Sequence, residues 1–323
     1  MTAVDFCGIA LAHPVVNGSG TFDAIAARRV FGDALLEQFP FSAYVSKTIT
    51  LAPRAGNPPP RLWEAPAGMV NSIGLPNKGV EAYLAEDLPQ YAALRVPLIT
   101  NVMGATGEEL AAVTAAVGER PEIAAIELNV SCPNVATGLD IGSVPAELEA
   151  VIRRVRPVTA KPLIVKLTPN TADVSLCAQA AEAAGADAIS LINTLRAVAL
   201  HPGGGARRWL GGRQGGLSGP AIRLVALAQV AAVAERVALP IIAMGGVQRG
   251  RHAAELLSAG ATLVAVGTES FRDPRAATII QRELAELPRD DRAAKGQRRD
   301  GRAGSPVYYP ANEHKTLDQG QQQ

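Results

Sequence analysis

The sequence predicts an α/β fold, a (β/α)8 TIM barrel with long loops at the C-terminal face of its strands. Three observations predict it. Eight short apolar runs alternate with alanine-rich helical patterns, the sequence form of βα units on a parallel sheet. Nearly every run ends in a polar residue or a glycine at its C-terminal side, the end where barrel enzymes build their sites. No Gly-x-Gly-x-x-Gly turn follows the first run, as a doubly wound dinucleotide sheet would offer.

The candidate strands are 14–18, 43–48, 97–102, 124–130, 163–167, 188–193, 240–245 and 263–267. Amphipathic stretches at 107–117, 171–184, 221–237, 249–259 and 273–287 are the clearest helices between and after them. Three segments, 49–77, 131–143 and 195–220, are long loops leaving strand C-termini, and such loops are usually functional lids. The third is glycine-rich and basic, with Arg207, Arg208 and Arg213. The barrel is expected over residues 1–287. Residues 288–323, crowded with charge and ending in three glutamines, are expected to form a disordered tail.

Composition narrows the function. The chain has 323 residues, 48% hydrophobic and 19% charged, an ordinary globular balance. A net charge of +1 gives no electrostatic case for nucleic acid or an anionic membrane surface. No apolar run reaches the ~18 residues of a membrane span. The N-terminus lacks the basic and apolar regions of a signal peptide. Cys7, Cys132 and Cys177 lie far apart, which argues against a disulfide framework and against a metal or iron–sulfur site in this chain. The four histidines show no ligand spacing, so no metal is expected. These features fit a reducing cytoplasm.

The polar strand ends carry the chemistry. The first strand runs into Asn17-Gly18-Ser19-Gly20-Thr21 and the second into Ser46-Lys47-Thr48. The third reaches Asn101, the fourth Asn129 and Cys132, the fifth Lys166 and the sixth Asn193-Thr194. Gly245-Gly246 and Gly267-Thr268 follow strands seven and eight, where barrels commonly bind phosphate through bare backbone N–H groups. Lysines on apolar strands call for anionic partners, and a reduced flavin ring is one. The asparagines suit a heterocycle with amide edges. Taken alone, Cys132 reads more often as a buried packing thiol. Among the other strand ends it reads as a thiol able to move a proton. No carboxylate pair for glycoside hydrolysis and no Ser/His/Asp order for acyl transfer is evident.

Four motifs, Asn129-Val130-Ser131-Cys132-Pro133-Asn134, Met69-Val70-Asn71-Ser72-Ile73-Gly74-Leu75-Pro76-Asn77, Gly216-Leu217-Ser218-Gly219-Pro220 and Met244-Gly245-Gly246-Val247, resemble those of the dihydroorotate dehydrogenases. The resemblance covers about residues 4–285 and follows family order. It implies a barrel with one non-covalent FMN per chain that oxidises dihydroorotate to orotate in pyrimidine synthesis. It implies FMN contacts by Ser19, Lys47, Thr48, Asn101, Asn129, Lys166, Ile192, Gly219, Gly245, Gly246, Gly267 and Thr268. Dihydroorotate would be held by Lys47, Asn71, Ser72, Ile73, Gly74, Leu75, Asn129, Asn134, Asn193 and Thr194. Cys132 would be the general base at C5 while C6 gives hydride to the flavin, on a loop acting as a water-excluding lid.

The subclass follows from the same resemblance. The first candidate strand starts by Pro14, leaving no room for the N-terminal helical extension of the membrane-bound, quinone-using class, whose base is serine. Pro60-Arg61-Leu62-Trp63-Glu64 through Gly68-Met69-Val70-Asn71 resembles class 1B. That class implies a homodimer joined by a subunit carrying FAD and a [2Fe–2S] cluster, a heterotetramer that passes electrons to NAD⁺. The alternatives are a class 1A enzyme using fumarate, a dehydrogenase of dihydropyrimidine bases such as dihydrouracil, and a non-catalytic barrel serving as a scaffold.

Overall fold

The computed structural model describes residues 3–130, 141–212 and 214–288. Cys132, Asn134, Arg213, most of the 131–143 loop and all but the first residue of the 288–323 tail lie outside them. Eight parallel strands form one sheet: β1 Val15–Asn17, β2 Tyr44–Val45, β3 Leu98–Val102, β4 Ile123–Asn129, β5 Leu163–Lys166, β6 Ala188–Leu191, β7 Ile241–Met244 and β8 Leu263–Val266. The hydrogen-bonded order runs β1-β8-β7-β6-β5-β4-β3-β2, each strand beside its neighbours in sequence. All eight coincide with predicted runs, because a parallel strand covered on both faces must be apolar nearly throughout.

The order ends at β1 and β2, and a side chain joins those ends. Asn17 Nδ2 donates to Val45 O at 2.8 Å, and Val45 N donates to Asn17 Oδ1 at 2.8 Å. Below it, Ser42 N donates to Val15 O at 3.0 Å. The asparagine amide thus substitutes for a peptide group and closes the barrel.

Alternate residues of each strand point inward. Val16, Val45, Ile99, Ala125, Ile164, Ile242 and Ala265 fill the interior. Phe6 and Leu11 close its lower end from a hairpin of Val4–Phe6 and Ile9–Leu11. That hairpin turns through Cys7 and Gly8 at φ 54° and 79°, the two positive values a two-residue type I′ loop requires. The opposite strand faces pack with the surrounding helices in a larger core.

The helices lie where the periodicity puts them, trimmed by their caps. Gly107–Gly118 starts where the Thr106 side chain accepts from Glu109 N. The pattern at 171–184 becomes a helix over Val174–Ala183, because Asp173 takes Ser175 N and sets the start. Arg223–Ala234, Gly250–Ser258 and Ala276–Glu286 complete the predicted set, and Pro145–Val155 adds a helix between β4 and β5.

Two of the three long loops are more ordered than their glycine and proline content suggests. Leu62–Ala65, Gly68–Asn71, Leu195–Ala197 and Gly215–Ser218 pair into a separate antiparallel sheet. It has its own small core of Val70, Ala199 and Leu210, with Trp63 against Trp209 at 5.6 Å between ring centroids. Its glycines are where strands come too close for a side chain. A Cβ on Gly68 would sit 2.3 Å from Ser218 O, and one on Gly216 would sit 1.9 Å from Thr194 Oγ1.

Removing the Asn17 amide leaves the N–H and C=O of buried Val45 without their partners. At about 1–3 kcal/mol per buried unsatisfied group, Asn17→Ala is expected to lower stability by about 2–6 kcal/mol in urea unfolding. A loss under 0.5 kcal/mol would mean that the β1–β2 seam is held by packing alone.

Candidate active site

The C-terminal ends of the barrel strands and the small antiparallel sheet enclose a cavity of about 460 Å³. That is within the usual range for small-molecule sites. Its walls come from all quarters of the barrel, which is why the residues that form them are so scattered in sequence.

From β1 and β2 come Ser19, Lys47 and Thr48. Ser19 Oγ donates to Ser46 O at 2.8 Å and lies 3.4 Å from Thr48 Oγ1. Thr48 Oγ1 accepts from Asn129 Nδ2 at 3.3 Å. This chain of hydroxyls and amide ties the ends of β1, β2 and β4 together. More than a third of Lys47 is exposed, but it opens into the cavity rather than to bulk water. The walls around it lower its pKa by burial; Asp23 opposes that shift and Arg61 adds to it.

The second lysine differs. Lys166, the last residue of β5, is only 6% exposed and still reaches the cavity wall. Beneath it lies Glu127, 1% exposed, in the middle of β4. Glu127 Oε1 accepts from Asn101 Nδ2, and Oε2 accepts from Ser190 Oγ at 2.7 Å. Lys166 Nζ stands 3.8 Å from Oε1.

Strands seven and eight present bare backbone. Gly245 and Gly246 have φ of 135° and 69°, and Gly267 follows β8. The first two are glycine for the protein's own sake: a Cβ on Gly245 would meet Ala226 Cβ at 2.6 Å, and one on Gly246 would meet Arg223 Cβ at 2.6 Å. Gly267 is different. A Cβ there would meet no protein atom nearer than 3.6 Å, and it would fill cavity instead. Gly18 is similar, with nothing nearer than 3.5 Å. Open glycine surface of this kind suits a ligand that presses against the backbone.

Across the cavity the segment after the small sheet contributes Asn71, Ile73, Gly74 and Leu75. Its path is constrained. Gly74 and Leu75 have φ of 75° and 55°, and a Cβ on Gly74 would lie 2.5 Å from Asn57 N. A leucine in the left-handed region is uncommon and costs energy. It is held by Asn77, whose Nδ2 donates to Leu75 O at 2.9 Å while its Oδ1 accepts from Gly79 N at 2.9 Å.

Most residues singled out in the sequence meet here. Ser19, Lys47, Thr48, Asn129, Lys166, Ile192, Gly219, Gly245, Gly246, Gly267 and Thr268 line the cavity, as do Asn71, Ile73, Gly74, Leu75, Asn193 and Thr194. Asn101 and Ser72 do not. Asn101 is fully buried and turned to Glu127. The Ser72 hydroxyl donates to Gln214 O at 2.8 Å and accepts from Asn57 Nδ2 at 3.0 Å. Cys132 and Asn134 are outside the described residues, but the chain on either side of their loop is fixed at the site. Gly142 N donates to Val130 O at 3.0 Å, directly after Asn129.

Sequence reasoning missed Glu127, Ser190, Gln248 and Glu269. Glu269 is buried on the cavity wall, where it accepts from Arg272 and, at 3.0 Å, from Gln248 Nε2. A lone glutamate inside an apolar run is the signal for Glu127, since glutamate is almost never fully buried unless paired.

The cavity fits FMN on its own features. Open glycine backbone at Gly18 and Gly267 suits a phosphate-bearing group, and the lysines with Asn129 and Asn193 suit a polar ring system that gains negative charge. Gly267→Ala is expected to fold with stability unchanged or up to about 1 kcal/mol higher. The same variant should retain FMN less well than wild type on gel filtration. Full FMN content in Gly267→Ala would contradict this placement.

Comparison with known proteins points to one family. The family model described as dihydroorotate dehydrogenase matches residues 1–287. A protein of Desulforudis audaxviator named dihydroorotate dehydrogenase B (NAD(+)), catalytic subunit, is 46% identical over 287 residues, covering 88% of this chain and 91% of the relative. One of Citrifermentans bemidjiense with the same name is 46% identical over 283 residues, covering 87% and 91%. A protein of Solibacter usitatus, provisionally named dihydroorotate dehydrogenase A (fumarate), is 43% identical over 286 residues, covering 88% and 92%.

Proposed function

We propose, from the premise that this chain belongs to the dihydroorotate dehydrogenase family, that it oxidises dihydroorotate to orotate with bound FMN and passes the electrons to NAD⁺ through a partner subunit. The observation that carries the reading is one cavity walled by Lys47, Lys166 and Asn129 on one side and by open glycine backbone on another. FMN, when bound, supplies the hydride acceptor. Ser19, Thr48, Lys166, Gly219, Gly245, Gly246, Gly267 and Thr268 are the residues we assign to holding it.

The substrate roles follow from donor and acceptor types. Dihydroorotate is a cyclic ureide with a carboxylate. Asn71, Asn129 and Asn193 offer amide groups to its ring edges, and Lys47 offers a cation to the carboxylate. The rigid backbone of Gly74 and Leu75 fixes the ring's position. Cys132 removes the proton at C5. Its position in the chain supports that role, since it comes three residues after Asn129, between the two ends pinned by Val130 and Gly142. A free thiol has a pKa of about 8.5, so only a few per cent is thiolate at neutral pH unless the site assists it. The loop then has a second task, excluding water while the proton moves.

The acceptor is the finer part of the proposal. Relatives named as catalytic subunits support a partner that completes electron transfer. We assign FAD and a [2Fe–2S] cluster to that partner, in a heterotetramer built on a homodimer. This chain has three cysteines, one short of the four thiolates a ferredoxin-type cluster takes. A cytoplasmic setting belongs to the same reading and is supported by Cys7 and Cys177, both free thiols. Among the described residues no helix is long and apolar enough to cross a membrane. The fumarate-named relative keeps a second acceptor in play.

One preparation tests these statements. The purified chain should release FMN on denaturation and reduce artificial acceptors with dihydroorotate, but reduce NAD⁺ poorly until the partner subunit is added. Efficient NAD⁺ reduction by the chain alone would rule out the partner. Rapid turnover with fumarate would move the chain to the fumarate-using class. Colourless protein that takes up no FMN would revive the scaffold reading.

Cys132→Ala should slow flavin reduction by dihydroorotate by ~10²–10⁴-fold, the usual contribution of a positioned base. FMN content and orotate binding should stay near wild type. Stopped-flow reduction at the wild-type rate would make Cys132 a packing residue.

A further inference from the structure

We propose that Glu127 is a positioning residue that acts through Lys166: it is the fixed counter-charge that keeps a cation at the floor of the cavity, ready for the negative charge a flavin ring gains on reduction. The inference rests on the FMN reading above. The geometry that carries it is the buried layer inside the barrel one step below the cavity.

Glu127 cannot touch a ligand. It is 1% exposed and is not on the cavity wall. A buried carboxylate of this kind needs both a cation and hydrogen bonds. Here the two needs are met by different neighbours. Asn101 and Ser190, both fully buried and neutral, occupy the two carboxylate oxygens. Lys166 stands 3.8 Å from Oε1, close enough for charge but at the outer limit of contact. Glu127 therefore supplies charge to Lys166 from 3.8 Å, while Lys166 itself remains on the cavity wall. Strand register holds the arrangement. Glu127 pairs with Asn101 on β3, and Lys166 pairs with Asn129 on β4 and Ser190 on β6. The other buried acid at the cavity, Glu269, is already matched by Arg272. Lys47, the other cation on the wall, opens into the cavity and does not share this layer.

Glu127→Gln separates charge from shape. The amide can still accept from Asn101, and the Ser190 hydroxyl can turn to accept from it, so packing and hydrogen bonds persist. Lys166 would then be a buried cation without a counter-charge, a costly arrangement that no longer holds it at the cavity floor. A cation no longer held there stabilises the reduced ring less. The measurement is the midpoint potential of bound FMN in the purified holoprotein, alongside its FMN content. The expected result is a tenfold or greater loss in the equilibrium for reduction, a fall of at least ~30 mV for a two-electron couple, with FMN still bound. Glu127→Asp, which keeps the charge, should recover most of the difference.

An unchanged potential in Glu127→Gln would overturn the proposal and leave Glu127 a packing residue. A rise in potential would also overturn it, because it would show that Lys166 stays in place unaided and that Glu127 merely opposes reduction. If Glu127→Gln does not fold with FMN, Glu127→Asp decides: a potential near wild type supports the proposal, and a fall as large as that of Lys166→Met contradicts it. Wild-type protein that binds no FMN would defeat the functional reading itself, an outcome distinct from all of these.

Discussion

The Asn17 amide between β1 and β2 is the contact on which the rest depends. A sheet of eight parallel strands leaves two edges, and each edge exposes N–H and C=O groups that must be paired. The two-stranded seam here is short, because β2 spans only Tyr44–Val45. One side chain that imitates a peptide group completes it. Closure is what brings Ser19 at the end of β1 within reach of Thr48 at the end of β2, and both to Asn129 on β4. Without it the wall of the cavity would be two separate sheet edges.

The interior then changes character along the barrel axis. Its lower part is hydrophobic, plugged by Phe6 and Leu11. Its upper part is a polar layer of Asn101, Glu127, Lys166 and Ser190, all but sealed from water. Such a layer adds little to stability, since two desolvated charges cost about as much as their attraction returns. Its position directly beneath the cavity gives it another use. A low-dielectric floor makes a nearby cation more effective than the same charge in water, which is what the role proposed for Lys166 uses. Stability comes from below and from the helical shell, and the chemistry sits where the core is least hydrophobic.

The fold was legible because parallel strands are apolar on both faces and end in sharp polar or glycine boundaries, as at Lys166, Asn193 and Gly245. The small antiparallel sheet was not. Its strands at Gly68–Asn71 and Gly215–Ser218 use glycine because neighbouring backbones approach within side-chain distance, and glycine in sequence reads as loop. The Cys7-Gly8 hairpin lacks the Asn-Gly signature and passed unseen. Among site residues, Ser19, Lys47, Thr48, Asn129 and Lys166 were readable from strand ends, whereas Gln248 and Glu269 on the same wall were not. Asn101 was expected to meet the ligand but faces inward, since the carboxylate it serves, Glu127, lies hidden within an apolar run. Ser72 sits in the right motif but turns its hydroxyl to Asn57 and Gln214, which only the folded loops bring near.

The central claim is that one cavity accepts dihydroorotate beside bound FMN and that Lys47 and the asparagines recognise this substrate over uncharged relatives. Anaerobic mixing of the purified holoprotein with dihydroorotate, and separately with dihydrouracil, tests it most directly. The account predicts prompt loss of flavin absorbance with dihydroorotate and little change with dihydrouracil, which lacks the carboxylate. Equal bleaching by both, or bleaching by dihydrouracil alone, would contradict it.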